Sequence, residues 1–396
     1  MENKVKRKYL IGVLILVFTA SFCANTQGVF LTDFINSYGL ESSSQGLVSS
    51  FQSIGNIIAL LLIIIYLSRI KKSSLLMVFA VVAPLIFFCL GLKPPFVILL
   101  LLYGFYGLCF ALVDSVSSST MADIYPEQSA NKMNLLQASF GLGGLCGPFI
   151  LQIILNTGIV WNKVLFVVAG FALVVTVIFV YSSRPMMKSK EIKYGKKEAI
   201  KLADVKDYFL TKKKLLLILS LFLFGMLQVG MMIWMPRFIG EYLGAPKFAA
   251  ISLSLYWLGI TIARFLLAKI KFDQVRILSI GLILSGVFLS FGILIGNSTV
   301  MILLCAVMGF CQGPVLPNAL SLSCSWTRNS SLGSSIILFC LYTGNMLTAP
   351  LIGFIIQHFG GSFGLMFPAA AGILGGVFAA LIIPIISTEN SENLIK

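Results

Sequence analysis

Long apolar runs, each bounded by charged or turn residues, recur from one end of this chain to the other. A helix needs about 20 apolar residues to cross a ~30 Å hydrocarbon core, and only helices and closed barrels satisfy their backbone polar groups inside lipid. Charged residues make up 11% of the chain, against roughly 25% in soluble domains. This pattern excludes a soluble globular protein and predicts an all-α polytopic membrane protein.

Twelve runs are long enough to cross a bilayer, and we number them helix one to helix twelve. They cover approximately residues 9–36, 45–68, 73–92, 95–122, 134–156, 163–183, 213–240, 247–270, 274–296, 298–320, 332–357 and 362–386. The segment from Arg184 to Lys214 carries eleven Lys or Arg residues, so it cannot lie in lipid. We therefore predict a six-helix bundle over residues 1–183, a basic cytoplasmic linker over 184–212 and a second six-helix bundle over 213–396.

The basic residues predict the orientation of the chain in the membrane. If the amino terminus is cytoplasmic, 25 of the 29 Lys and Arg residues lie on the cytoplasmic side, as the positive-inside rule requires. We expect a plasma-membrane protein with both termini in the cytoplasm. The net charge of +15 is then spread over cytoplasmic segments, not one soluble basic patch. We therefore expect membrane lipids and no nucleic acid among the partners.

An internal repeat divides the chain in the same place. Three residues of the first half recur 202 positions later in the second half: Gly107, Cys109 and Pro148 match Gly309, Cys311 and Pro350. The repeat predicts two pseudo-symmetric bundles, an arrangement in which the solute binds near the bilayer midplane and is moved by alternating access. The sequence therefore predicts a secondary active transporter of a small-molecule solute, which we expect to act as a monomer.

Asp114 is the one carboxylate that the sequence places clearly within a predicted membrane span. An ionisable side chain at this depth is costly and marks a functional site by default. We predict that Asp114 couples transport to protons, the alternative being a static buried ion pair. Ser118, four residues further along helix four, shares its face and is a candidate ligand for the solute.

Arg264 on helix eight should reach nearly the depth of Asp114, so the two charges could pair. Trp257, Thr261 and Arg264 share one helical face, which would combine an aromatic ring, a hydroxyl and a cation at a sugar site. The alternative is that Arg264 snorkels toward the cytoplasm.

The remaining candidates for solute binding are amide and aromatic side chains. They are Asn25, Gln27, Gln137, Phe140, Gln228, Gln312, Tyr342 and Asn345. Asn25 and Gln27 are two residues apart, about 200° around a helix, so at least one should be structural unless Gly28 loosens helix one. The pair Gly143 and Gly147 on helix five predicts close helix packing.

Four further charged or titratable residues lie near helix ends that we predict to be external, where water should solvate them: Asp33, Arg237, Glu241 and His358. The chain has one histidine and lacks the HExxH, GxSxG and clustered Cys/His patterns of catalytic or metal centres. We therefore expect no enzyme, no cofactor and no metal site. A channel is a weaker alternative, because no ring of filter carbonyls is visible.

The two halves, the basic linker and the stretch GFYGLCFALVDSVSSSTMADIYPEQSANKMNLLQASFGLGGLCGP resemble the major facilitator superfamily. This stretch and YWLGITIARFL on helix eight are similar to the fucose permease-like branch of that family. The resemblance implies that Asp114, Gln137 and Arg264 match an acid, a glutamine and an arginine associated with sugar and proton handling. It also implies proton-coupled uptake of a sugar or similar small polar solute.

The alternative transport function is a proton antiporter that exports drugs or other amphipathic compounds. The methionines Met231, Met232 and Met235 on helix seven favour it, since flexible thioethers suit varied apolar ligands. The scarcity of charge within the predicted membrane spans favours it as well.

Overall fold

The computed structural model describes residues 2–66, 72–125, 129–187, 209–267, 273–326 and 330–395. All regular secondary structure in these ranges is helical, and twelve helices are long and apolar enough to cross a membrane. The all-α class and the twelve predicted spans are confirmed. Most of the predicted linker, residues 188–208, lies outside the described ranges.

Six of the spans lie in the first half of the chain. Helix one is divided into Glu2–Ala24, Thr26–Val29 and Leu31–Tyr38, and helices two to six are Ser42–Tyr66, Lys72–Gly91, Phe96–Ile124, Ser129–Asn156 and Trp161–Met187. Asn25 stands at the first interruption, where its side-chain Nδ2 donates to the Ser21 carbonyl at 2.7 Å. Helix six extends past the predicted boundary at residue 183.

The other six spans lie in the second half, and three of them are irregular. Helix seven runs through Lys212–Val229, a π-helical turn Gly230–Trp234, Met235–Arg237 and a second π-helical turn Phe238–Tyr242. Helix ten consists of Ser298–Gln312 and Val315–Ser325, and helix twelve of Gly361–Ala380 and Ile382–Ile395. Helices eight, nine and eleven are Ala249–Leu267, Gln274–Ile295 and Ser330–Phe359.

The chain forms two compact units. The first comprises Met1–Leu40 and Leu47–Lys197, and the second comprises Glu41–Gly46 and Glu198–Lys396. A continuous hydrophobic core fills the first unit, where Tyr103 and Tyr106 of helix four are fully buried. Their hydroxyls bind helix one, since Tyr106 donates to the Ala20 carbonyl at 2.6 Å and Tyr103 lies 3.3 Å from the Thr26 hydroxyl. Helices one and four are therefore joined by polar contacts inside an apolar core.

Glycines bring helices two and four into backbone contact. A Cβ atom at Gly107 would overlap the Gln52 carbonyl, and one at Gly55 would overlap the Gly104 carbonyl. Each helix therefore contributes a glycine at the point where it meets the backbone of the other. Small residues at such positions let transmembrane helices approach closely.

The second unit repeats this contact between helices eight and ten. A Cβ atom at Gly309 would overlap the Tyr256 carbonyl, and one at Gly259 would overlap the Ala306 carbonyl. Gly309 is the residue that the sequence repeat pairs with Gly107. The repeat thus extends from residue identities to equivalent contacts inside each unit.

Candidate functional site

Three polar side chains from three helices meet in the interior of the second unit. The Tyr256 hydroxyl on helix eight donates to Gln312 Oε1 on helix ten at 2.7 Å, and Gln228 on helix seven makes a side-chain hydrogen bond with Tyr256. Tyr256 is fully buried and Gln312 is 2% exposed. We call Gln228, Tyr256 and Gln312 the amide–phenol cluster. The sequence predicts Gln228 and Gln312 as site residues, but not Tyr256.

One hydrogen-bond donor of the amide–phenol cluster lacks an acceptor in the described part of the chain. Gln312 Nε2 is buried and has no hydrogen-bond partner among the described residues. An unpaired buried polar group costs about 1–3 kcal/mol, so such groups in a folded protein call for a specific explanation. A solute oxygen that accepts from Gln312 Nε2 would remove this cost.

The Arg264 side chain contacts helix ten where that helix is interrupted, between Gln312 and Val315. Pro317 has no N–H, so it cannot complete the helical hydrogen bond to the Gly313 carbonyl. Arg264 Nε donates to that carbonyl at 3.2 Å and replaces the missing donor. The arginine also interacts electrostatically with Tyr256, which places it beside the amide–phenol cluster. Neither sequence-based interpretation of Arg264 includes the contact with Gly313, and its pairing with Asp114 stays a prediction.

The first unit contains a second buried amide group. Gln27 Nε2 on helix one donates to Gln52 Oε1 on helix two at 2.8 Å. Gln27 Oε1 and Asn56 Oδ1, the latter one turn beyond Gln52, are buried and find no partner in the described part of the chain. Asn25 binds the backbone of its own helix through Ser21. This agrees with the expectation that at least one of Asn25 and Gln27 is structural.

Gln52 and Tyr256 occupy equivalent positions in the two units. The carbonyl of each lies against the matching glycine, Gly107 or Gly309, and the side chain of each binds a glutamine on the preceding helix. The sequence patterns do not single out Gln52, Asn56 or Tyr256. Gln52 and Asn56 carry the same signal as Gln27, since they are amides within a predicted span. A second signal is their position beside the glycines of the repeat: Gln52 and Tyr256 each precede a helix-packing glycine by three residues.

The other predicted residues of helices four and five are half-buried. Asp114 and Ser118 lie on helix four, and Gln137 and Phe140 lie on helix five. The Phe140 ring packs 5.9 Å from that of Phe110 on helix four. Solute or proton binding by these side chains stays a prediction.

The predicted residues of helices eight and eleven have mixed environments. Trp257 is buried, and its ring lies 6.1 Å from that of Tyr256. The Thr261 hydroxyl donates to the Trp257 carbonyl at 2.8 Å and is thereby engaged with its own helix. On helix eleven, Tyr342 is buried and Asn345 is half-buried, and Asn345 Oδ1 has no partner in the described ranges.

The glycine pair on helix five packs closely against helix one. Gly143 and Gly147 face the carbonyls of Phe18 and Phe22, and a Cβ atom at Gly143 would overlap the first of these. The predicted packing role of this pair is confirmed.

The expectation that water solvates the four charges near the predicted external ends is wrong for two of them. Arg237 is 9% exposed, its Nε lies 2.8 Å from Glu241 Oε2, and its guanidinium stacks over the Trp234 ring at 5.7 Å. Asp33 lies four residues beyond the first membrane span and is half-buried. Burial raises the pKa of the Asp33 carboxyl from 3.8 to about 6. Glu241 and His358 are exposed or nearly so, as expected.

The raised pKa of Asp33 predicts a pH-dependent stability. The folded protein holds the Asp33 proton up to about pH 6, whereas the unfolded chain releases it near pH 3.8. Stability from this group is therefore present below pH 3.8 and is lost as the pH rises through 6. We expect the melting temperature of wild-type protein in detergent to fall more between about pH 4.5 and pH 7.5 than that of Asp33→Asn. Parallel curves for the two proteins would contradict the assignment.

A protein-family model matches most of the chain. The sequence model described as Major Facilitator Superfamily matches residues 13–273 and again residues 238–394. A search of curated proteins returns no match.

Solved structures share the fold over nearly the whole chain at low sequence identity. A bacterial homologue of the human lysosomal transporter Spinster, inward-facing and occupied, has 15% identity and a TM-score of 0.73, covering 95% of this chain and 96% of its own. A variant of the nucleoside transporter NupG has 12% identity and a TM-score of 0.75, covering 94% and 99%. A POT family transporter in complex with 5-aminolevulinic acid has 15% identity and a TM-score of 0.76, covering 95% and 96%.

Proposed function

Because the chain belongs to the major facilitator superfamily, and is therefore a transporter of a small-molecule solute and not an enzyme, we propose that it takes up a neutral polar solute by proton-coupled alternating access. The observation that carries this proposal is the amide–phenol cluster with its open donor, Gln312 Nε2. A sugar or similar hydroxyl-rich molecule is the solute class that such groups bind.

The chemistry of the polar side chains supports a neutral solute. Amides and phenols donate to and accept from hydroxyl groups without a net charge. The first unit offers open amide oxygens at Gln27 and Asn56, and the second offers an open amide N–H at Gln312. Taken unit by unit, a hydroxyl can donate to the open amide oxygens of the first and can accept from the open amide N–H of the second. Arg264, the cation beside the cluster, already donates to the Gly313 carbonyl, which lessens its availability to an anionic solute.

We assign the coupling proton to Asp114. Its carboxyl is half-buried on helix four within the fourth span, Phe96–Ser118. Intramembrane acids in transporters commonly serve as proton relays. In this proposal the protonated carboxyl accompanies the bound solute, and release of the proton on the other side resets the carrier.

The three methionines that favour the export alternative differ in their burial. Met231 and Met235 on helix seven are each 1% exposed and pack within the second unit, whereas Met232 is half-buried. Two of the three are therefore accounted for as core residues. Export is therefore retained only as an outcome of the transport assay, in which it is recognised by its opposite direction.

The test is Tyr256→Phe in proteoliposomes supplied with a panel of radiolabelled neutral monosaccharides. Removing the hydroxyl leaves Gln312 Oε1 without its donor, and losses of this kind cost about 1–3 kcal/mol. We expect an affinity about 5- to 150-fold weaker for the monosaccharide that wild-type protein accumulates. Tyr181→Phe is the matched control, since Tyr181 is 69% exposed and should transport like wild type.

Three outcomes would contradict the proposal. One is equal affinity in wild-type protein and Tyr256→Phe. Another is wild-type protein that accumulates none of the monosaccharides but extrudes an amphipathic cationic dye when protons flow inward. The third is uptake that does not respond to a proton gradient, which would remove the coupling.

A further inference from the structure

A cavity of about 330 Å³ lies between the beginning of helix seven and residues 381–388 of helix twelve. It is lined by Lys212, Leu216, Leu381, Pro384, Ile385 and Thr388. Lys212 and Thr388 supply polar groups, and the other four residues form apolar walls. The cavity is therefore amphipathic, and it is separate from the polar groups considered above.

The cavity lies where the membrane spans end. Lys212 is the first residue of the seventh span, and Thr388 is the last residue of the twelfth. Leu216 and Leu381 lie one to two helical turns deeper than these two residues. The polar end of the cavity is thus at the level of the lipid headgroups, and its apolar walls extend toward the hydrocarbon.

The charge at the polar end favours an anion. Lys212 is exposed, whereas its neighbours are engaged elsewhere: Lys213 stacks over the Trp326 ring at 5.6 Å, and Lys214 is buried. Lys212 also opens an 18-residue helix, whose amino terminus carries a partial positive charge. None of the six lining residues is acidic.

We propose that this cavity binds an anionic phospholipid. The phosphate lies against the Lys212 ammonium, and the acyl chain begins along Leu216, Leu381 and Ile385. The Thr388 hydroxyl donates to the Pro384 carbonyl at 2.9 Å and lines the polar end without donating to the phosphate. A volume of about 330 Å³ is at the lower end of the roughly 300–1,000 Å³ range of ligand pockets. It accommodates a headgroup and the first part of one chain, while the rest of the lipid remains in the bilayer.

The experiment titrates purified full-length protein in detergent with phosphatidylglycerol, with phosphatidylcholine of the same acyl chains, and with inorganic phosphate. Bound lipid is measured by native mass spectrometry, and the melting temperature is recorded in parallel, because a ligand of the folded state raises it. We expect phosphatidylglycerol to bind more tightly than phosphatidylcholine. Inorganic phosphate alone should leave the melting temperature unchanged.

Matched variants locate the binding. Lys212→Gln should weaken phosphatidylglycerol binding about fivefold, the effect of removing one lysine near an anionic surface. Lys163→Gln, which removes an exposed lysine at the start of helix six, should bind like wild type. Ile385→Trp should weaken binding by filling the apolar end of the cavity.

Several results would contradict the proposal that this cavity binds an anionic phospholipid. Unchanged phosphatidylglycerol binding in Lys212→Gln would do so, as would an equal loss in Lys163→Gln, which would indicate a general charge effect. An equal response to inorganic phosphate would indicate a free-anion site. Full binding by Ile385→Trp would exclude the acyl chain from the cavity. Lipid-free melting temperatures of each variant establish that it is folded.

Discussion

Asp114→Asn should reduce the accumulation ratio of the solute to one while leaving solute exchange across the membrane intact. Asparagine keeps the size and polarity of the side chain but cannot bind and release a proton. If Asp114 carries the coupling proton, the variant resembles a permanently protonated carrier, which can bind and exchange solute but cannot be driven by protons. The measurement compares uptake under an inward proton gradient with counterflow in the same proteoliposomes.

Asp33→Asn is the control for this experiment. Asp33 is also a half-buried carboxylate of the first unit, but it lies beyond the first span, Val5–Val29. Its substitution should preserve accumulation at about pH 7. Accumulation by Asp114→Asn at the wild-type level would exclude Asp114 as the coupling group. Loss of both accumulation and counterflow would instead indicate that Asp114 is needed to bind solute or to hold the fold.

The membrane spans could be predicted from sequence because lipid imposes one requirement on every one of them. Apolar side chains must cover about 20 residues wherever the backbone crosses hydrocarbon, so a single local property determines each span. The apolar pattern does not predict the interruption of helix ten, although Pro314 and Pro317 are visible in its sequence. The apolar pattern continues through both prolines, and the donor that satisfies the Gly313 carbonyl comes from Arg264 on another helix.

The candidate site could be predicted only in part, for a related reason. Single-helix patterns pointed to Gln27, Gln228 and Gln312 because buried amides are rare and costly in lipid. Gln52 is an amide of the same kind, but its pairing with Gln27, like that of Tyr256 with Gln312, follows only from the packing of the helices. A hydrogen bond between residues far apart in sequence does not change the periodic pattern of apolar and polar residues in either helix. The repeat supplies the missing information, since both partners lie three residues before a glycine that contacts a neighbouring helix.

Gly107→Ala should destabilise the protein severely, because the added methyl group would overlap the Gln52 carbonyl. Backbone atoms cannot move aside as a flexible side chain can, so helices two and four would have to separate. Overpacking of this kind costs about 1–3 kcal/mol or more. The displacement would also disturb the hydrogen bond between Gln27 and Gln52. We expect a lower melting temperature and a lower yield of monodisperse protein.

Gly170→Ala is the matched control, because Gly170 lies within helix six, is exposed, and has open space where an alanine Cβ would stand. Alanine should be neutral or stabilising there, since glycine in a helix interior costs roughly 0.5–1 kcal/mol relative to alanine. Gly309→Ala should reproduce the defect of Gly107→Ala, because its Cβ would overlap the Tyr256 carbonyl. A large decrease in melting temperature for Gly107→Ala with a small one for Gly309→Ala would mean that the two equivalent contacts contribute unequally to stability. Equal losses at both positions, with none at Gly170, would establish close contact between these helix pairs as a shared requirement of the two units.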